Sequence, residues 1–512
     1  MRDLATYFAD WRDFQRPKLV DGVPDYRDGA MAAQHAALPE WQRELKAMDT
    51  TGWSIARQVD YHVVRAELNG LDFDHRVLRP WARNPGFYVT VFWDQSDQPA
   101  REGPFAYGAV ELWKYAFPLD AAGVARIQPG ILAIPGLLAQ ARTNLNGTGT
   151  DLWSYGTGAI KQQSADLALL VSRTEGELKA SAERARAATD SLAAWLDAEA
   201  PKHTGPSGVG VANYDWYLKN VQLVPYTWAE EVVLMERELG RALSFLALEE
   251  GANARLPLQV PIANAAEHSR RFNAAVAEYM AFLKNRDLLT IRDDMDPALR
   301  ARIGAFSPGP REFFGEVDYR DPEVMRTHGY HWFDLARLEH DPPADPIRRV
   351  PLLYNIFNTR TEGHATGWEE LMLQAGMFNA RPRSRELIYV LLAERAARAL
   401  GDLRMHSNEF TLEQAAEFTS TNTPRGWLSL QGNLVRGEQH LYLQQPAYGT
   451  SYLIGKMQLE ALIGARRQQE GDTFSFRRFM DDFNAAGLMP AALLRWELTG
   501  HLPEAVRRML EP

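Results

Sequence analysis

The chain contains no cysteine. Disulfide bridges, thiolate nucleophiles and cysteine-ligated zinc are therefore excluded. Nor is there a run of about 18 consecutive apolar residues, the length that a bilayer-spanning helix requires, so no membrane partner is expected. Long basic runs are absent too. The formal net charge is −10, from 66 acidic and 56 basic residues, which argues against nucleic acid as a partner. The opening stretch, MRDLATYFADWRDFQRPK, carries charges every few residues and matches neither a signal peptide nor an anchor. The expectation is a cytoplasmic protein, or a periplasmic one if a leader was removed.

Strand signals are scarce. FYVTVFW at 87–93 is the clearest, and LPLQVPI at 256–262 is broken by Pro257 and Pro261 and reads as extended chain. What the sequence does hold is helical pattern on a 46% hydrophobic composition, ample for a large core. Thr227 and Glu230 form a capping box, and Val232, Met235, Leu239, Leu243 and Leu246 then recur three or four apart on one face. Thr411 and Gln414 form a second box. Phe476, Phe479, Met480 and Phe483 predict a helix that stops at Gly487, with Pro490 beyond. Residues 159–199 read as one or two surface helices, and 384–400 as a buried helix ended by Gly401. Proline- and glycine-rich breaks at 201–210, 304–310 and 341–346 are too short to separate independent domains. The prediction is a mostly α fold: a single helical domain over 1–512, with 1–200 as its N-terminal part. Two lobes around a central cleft fit this pattern, with at most a small sheet.

Several familiar chemistries lack their motif. GPSGVG at 205–210 has no Lys-Ser/Thr to reach phosphates and magnesium, so it reads as a plain loop. No GxSxG elbow precedes a helix, and no HExxH occurs. THGYHWFDL at 327–335 does place His328, His331 and Asp334 three apart, so on a helix they share a face. Histidines so spaced can bind a divalent metal, cap the helix or pack on aromatics. NTRTEGHATGWEELMLQAGMF at 358–378 embeds Glu362, Glu369 and Glu370 among apolar residues, where a buried carboxylate needs a partner or a metal. Spacings of seven and eight put Glu362 on a face with Glu369 or Glu370.

EGHATGWEELMLQAGMF resembles the EGWALYAE segment of the bacterial domain of unknown function 885 family. LGDLRMHSNEFTLEQAAEF at 400–418, QQPAYGTSYLIGKMQLEAL at 444–462 and FSFRRFMDDFNAAGLMPAALL at 474–494 are similar to its later segments, and YDWYLKNVQLVPYTWAEEVVLMERELGRAL to an earlier one. Order and spacing hold over roughly 210–500. The resemblance implies a helical fold and a zinc-dependent, peptidase-like hydrolase. Carried across, Glu362 falls on the glutamate of EGWALY, His406 on the histidine of D-T-G-L-H and Tyr452 on the tyrosine of S-Y-K-I-G. His331 falls on one of the paired histidines of H-E-x-x-P-G-H-H. The leading His-Glu of that motif falls near Val324 and Met325, which cannot bind metal. His364 replaces the motif tryptophan and Tyr448 a glutamine.

The resemblance thus leads to a metal-assisted hydrolase of an amide or peptide-like bond in a small molecule or short peptide. His331, Glu362, His406 and Tyr452 are its catalytic candidates. His328, His331 and Glu362 are candidate ligands for Zn2+ or another divalent metal. Tyr330, Trp332, His364 and Tyr448 are the candidate substrate-binding residues, and Glu369 or Glu370 would replace the lost general base. A metal-free lyase, isomerase or hydrolase acting on an aromatic small molecule is the alternative, and a non-catalytic binding protein the third reading. A monomer and a homo-oligomer both fit the sequence.

Overall fold

The structure is a computed structural model, and it describes residues 2–511. Helix makes up 69% and strand 2%, so the mostly α fold class is as predicted. FYVTVFW contributes only Val91–Phe92, which pairs in parallel with Val110–Glu111. A short antiparallel pair, Leu19–Val20 with Val23–Pro24, is the other sheet among the described residues. The first half of FYVTVFW instead joins a 3-10 turn at Pro85–Tyr88, where Pro85 presets a turn conformation.

Both predicted capping boxes form, opening the helices Trp228–Ala252 and Leu412–Asn422. Residues 159–199 belong to two helices, Thr150–Ser172 and Gly176–Glu199. Gly401 does not end its helix, which runs from Pro382 to His406. A Cβ on Gly401 would lie 2.8 Å from the Gln439 side chain, so close helix packing, and not termination, calls for glycine here.

Buried apolar residues form two large clusters. The smaller, built on 26–31 and 81–196, includes Trp81, Tyr88, Ile131, Trp153 and Leu196. The larger joins the N-terminal helices to the chain beyond residue 208, with Trp11, Tyr214, Trp368 and Leu493. Helix Ala121–Asn144, in the smaller cluster, has the length and composition to cross a membrane, although polar residues interrupt its apolar runs. In this structure it packs Ile127, Ile131 and Ile134 into the core.

In the larger cluster, helices Asn358–Gln374 and Tyr448–Glu470 cross with their backbones in contact. A Cβ on Gly363 would lie 2.3 Å from Gly455 Cα, and one on Gly455 would lie 2.0 Å from the Thr359 carbonyl oxygen. Both distances are impossible for real side chains, so each helix needs glycine at the crossing. Gly455→Ala should therefore destabilise the protein by at least about 1–3 kcal/mol, the usual cost of overpacking. Gly464 lies on the same helix with nothing within 4 Å of its would-be Cβ, and Gly464→Ala should stabilise by about 0.5–1 kcal/mol. Thermal denaturation of the two variants checks this. Equal midpoints would show that the crossing tolerates a side chain.

Candidate active site

The glycine crossing brings Glu362, one residue before Gly363, against the first two turns of the 448–470 helix. Glu362 is buried, and its Oε1 accepts hydrogen bonds from the Tyr448 hydroxyl (2.5 Å), the Tyr452 hydroxyl (3.0 Å) and Gln98 Nε2 (3.0 Å). Its Oε2 lies 3.3 Å from His331 Nε2. Neither of these two facing atoms has a hydrogen bond of good geometry. Gln98 also lies 3.4 Å from His331 Nδ1, and its own Oε1 accepts from Thr361 (2.6 Å).

Residues 328 and 331 do not share one continuous helix. Pro322–His328 ends at Gly329, and Tyr330–His340 begins beyond it. The break still leaves the two imidazoles with ring centroids 5.0 Å apart. Ligand-capable atoms of His328, His331 and Asp97 all lie within 4.8 Å of one another. Asp97 and His328 are partly exposed, so the trio is reachable from solvent. His328 Nδ1 is 2.9 Å from Glu369 Oε1. Arg395 in turn holds both oxygens of Glu369, at 2.8 and 2.9 Å.

Glu362, Glu369 and Glu370 occupy one helix, at roughly 100° per residue. Seven residues bring 369 back to the face of 362, and the two carboxylates meet His331 and His328 respectively. Glu370 faces elsewhere. Arg241 binds it at 2.7 and 2.9 Å, and Lys456 lies 2.9 Å away. Glu369 and Glu370 are thus both committed to cations, and neither is free to act as the replacement base. Glu362 Oε2 faces one imidazole, His331, without a hydrogen bond of good geometry, which leaves it the nearest carboxylate oxygen for that role.

Other predicted residues lie outside this cluster. His406 is fully buried, with Nε2 3.0 Å from the Tyr442 carbonyl and 3.4 Å from Asp402, and its ring packs on Tyr214. Burial lowers its pKa to about 4. Tyr330 and His364 pack at a tilt, ring centroids 4.0 Å apart, beside Trp368, and Asn484 donates to the Tyr330 hydroxyl. Trp332 sits under the Arg302 guanidinium. Asp334 is paired with Arg360. Of the four residues expected to bind substrate, only Tyr448 touches Glu362.

Sequence reasoning missed Asp97 and Gln98. They belong to DQSDQPAREGP, a polar island after the FYVTVFW run. That island was the only signal, because the family segments begin more than 100 residues later.

Burial opposes charge on His331, but the carboxylates of Asp97 and Glu362 outweigh it and raise its pKa to about 9. Burial likewise opposes charge on Glu362. His331 and the Tyr448 hydroxyl overcome it and hold the carboxyl down to about 2. In chelator-treated protein, Glu362 contributes stability above its unfolded pKa, which is lost as pH falls toward 2. His331 contributes stability in full below its unfolded pKa of about 6.5, and loses it as pH rises through about 9. The difference in melting temperature between the native chain and Glu362→Gln should therefore be largest near pH 5–6.5. It should shrink between pH 6.5 and 9. A difference that grows toward pH 9 would contradict the ion pair.

No functionally curated protein matches the chain. Two solved structures share its architecture. One, described as "a putative lipoprotein of unknown function" from Shewanella oneidensis, superposes with a TM-score of 0.71 at 15% identity, covering 96% of this chain and 98% of that one. The other, "the putative lipoprotein from Colwellia psychrerythraea", has a TM-score of 0.62 at 14% identity, covering 95% and 92%. At such identity the likeness shows the fold alone. Over residues 331–498, which include His331, Glu362, Tyr448 and Tyr452, the chain matches the family described as "Bacterial protein of unknown function (DUF885)", and that match supports the family resemblance read from the sequence.

Proposed function

We propose that the protein is a metal-assisted hydrolase of an amide or peptide-like bond in a small substrate. One observation carries this reading: the Asp97–His328–His331 cluster adjoins a buried, ionised Glu362 whose Oε2 accepts no hydrogen bond of good geometry. The donor set fits a divalent cation. Two imidazoles and a carboxylate match zinc chemistry, and the Glu369 carboxylate behind His328 is the outer partner that orients a ligating histidine. His331 Nε2, 3.3 Å from Glu362 Oε2, ties the cluster to the carboxylate. Asp97 takes the ligand place expected of Glu362 from the family resemblance.

A bound cation would supply Lewis acidity and lower the pKa of water. The chain's own groups do the rest. Glu362 Oε2 accepts the proton of the attacking water. As the carboxylate is neutralised, its hold on the Tyr448 and Tyr452 hydroxyls weakens, leaving these donors for the developing oxyanion. Gln98 covers the carboxylate, and its loop must shift to admit substrate.

A metal-free reading has one observation in its favour: Glu362 and His331 already neutralise each other as a buried pair. Metal analysis separates the two. After incubation with zinc and desalting, about one zinc per chain should remain, falling in Asp97→Asn and His328→Gln. Glu362→Gln should keep its zinc. With amino-acid and short-peptide p-nitroanilides as substrates, it should lose turnover by about 100- to 10,000-fold, the usual scale for a general base. A native chain that retains no zinc would leave the metal-free reading. For location, the lipoprotein descriptions of the two structural neighbours favour the periplasmic expectation over the cytoplasmic one, and cell fractionation tests it.

A further inference from the structure

The carboxamide of Gln98 has a partner for each of its polar atoms. Gln98 is 3% exposed, although it comes from an irregular loop. Its Nε2 donates to Glu362 Oε1 at 3.0 Å and to Asp97 Oδ1 at 3.2 Å. Its Oε1 accepts from the Thr361 hydroxyl at 2.6 Å. The approach of Nε2 to His331 Nδ1, at 3.4 Å, is too long to decide the orientation. Carboxylates only accept, so the nitrogen must face Glu362 and Asp97, and the oxygen is left for the hydroxyl.

The helix side of this arrangement is the more telling one. Helical threonines commonly return their hydroxyl to the carbonyl four residues earlier, as Thr157, Thr189 and Thr419 do here. Thr361 is buried in the first turn of its helix and gives its hydroxyl to the loop instead. Glu362, the next residue, accepts from the same carboxamide. Two consecutive residues on a rigid helix thus present one donor and one acceptor, the pair that an amide group needs. The loop fixes its own backbone separately. Gln98 N donates to Ser96 Oγ at 2.9 Å, and Ser96 Oγ donates to Glu102 at 2.7 Å. The Gln98 side chain can therefore turn away while the loop keeps these bonds.

We propose that Thr361 and Glu362 form a binding site for an uncharged amide that keeps at least one N–H, and that Gln98 is the chain's own occupant of it. A ligand amide displaces the Gln98 side chain, accepts at its carbonyl from Thr361 and donates its N–H to Glu362. A tertiary amide has no N–H for the carboxylate. A carboxylate ligand would stand against Glu362 and Asp97. A site built to hydrogen-bond a group rejects analogues that lack it, because its own buried groups are then left unpaired. The binding stands on these contacts alone. That the bound amide is the substrate's rests on the hydrolase reading, which it narrows to primary and secondary amides. Thr361 is then a substrate-binding residue, holding the carbonyl before Tyr448 and Tyr452 meet the oxyanion.

The test is a ligand-observed magnetic resonance titration of the chelator-treated full chain, which requires neither zinc nor turnover. The probes are acetamide, N,N-dimethylacetamide and acetate. In the native chain Gln98 competes as a tethered ligand. Gln98→Ala removes the atoms that acetamide supplies, so it should bind acetamide at least about tenfold more tightly than the native chain does. Dimethylacetamide and acetate should bind that variant at least about tenfold more weakly than acetamide. Adding Thr361→Val should weaken acetamide by about fivefold or more. Gln98→Asn, one methylene shorter, takes the place of Gln98→Ala if the latter does not fold, and it too should bind acetamide more tightly than the native chain. No gain in these variants, equal binding of the three probes, or an acetamide affinity unchanged by Thr361→Val would each overturn the proposal. A chain that binds acetamide as expected but retains no zinc would uphold this site and remove only the metal-assisted reading.

Discussion

The backbone contact between Gly363 and Gly455 is the constraint on which the candidate site rests. Two helices ordinarily keep their axes 8–10 Å apart because side chains separate them. Here neither helix has a side chain at the crossing, and Gly455 would strike the Thr359 carbonyl if it carried one. The close approach carries Glu362 into hydrogen-bond range of Tyr448 and Tyr452, which occupy the same face of the partner helix one turn apart. Wider spacing would leave the carboxylate buried without donors, a state costly enough to force its protonation. Packing and charge state are thus set by the same two glycines. Both glycines lie within the segments that carry the family resemblance, Gly363 next to Glu362 and Gly455 three residues beyond Tyr452.

Charge in this core is arranged in complementary layers. Glu362 meets His331, Glu369 meets His328 and Arg395, and Glu370 meets Arg241 and Lys456. Beside Tyr452 lies another buried group, Arg398 with Glu394 and Glu438. Burial raises the Glu394 carboxyl to about 8, with Arg398 drawing it partly back. Buried ion pairs of this kind are weak stabilisers, because desolvation offsets most of the attraction, yet removing one partner is strongly destabilising. The consequence is positional. Glu362, Glu369 and Glu370 are each held by a cationic or imidazole group from a different helix, so Oε2 of Glu362 has a fixed direction.

Local signals in the sequence reported local structure well. Thr227–Glu230 and Thr411–Gln414 are capping boxes in fact, because the two hydrogen bonds involved span only three residues. The proximity of His331 to Glu362 was legible as well, since buried acids and histidines close in sequence have few other partners. Legibility failed where a residue's role depends on a distant segment. Gly401 looks like a helix end until Gln439 is seen against it. His406 matches a family histidine, yet its ring is taken up by the Tyr442 carbonyl, Asp402 and Tyr214. Gln98 reaches Glu362 across 264 positions, Asp97 reaches His328 and His331 from the same distant loop, and no periodicity can encode such a meeting.

That long reach also gives the site its physical character. Asp97 and Gln98 extend from the strand pair of the smaller apolar cluster, while His331, Glu362, Tyr448 and Tyr452 belong to elements packed in or beside the larger one. Rigid helices therefore fix the carboxylate, the imidazoles and the hydroxyls, whereas an irregular loop supplies the cover and one acidic group. Loops with few backbone hydrogen bonds occupy the low-stability end of a fold and move at least cost. Gln98 can leave Glu362 without disturbing a helix, and Gly103, on the same loop, is tied through Gln445 to the neighbourhood of Tyr448. Gln98 borders Glu362 and Gly103, Pro104 and Phe105 border a neighbouring cavity, so one shift of this loop changes both.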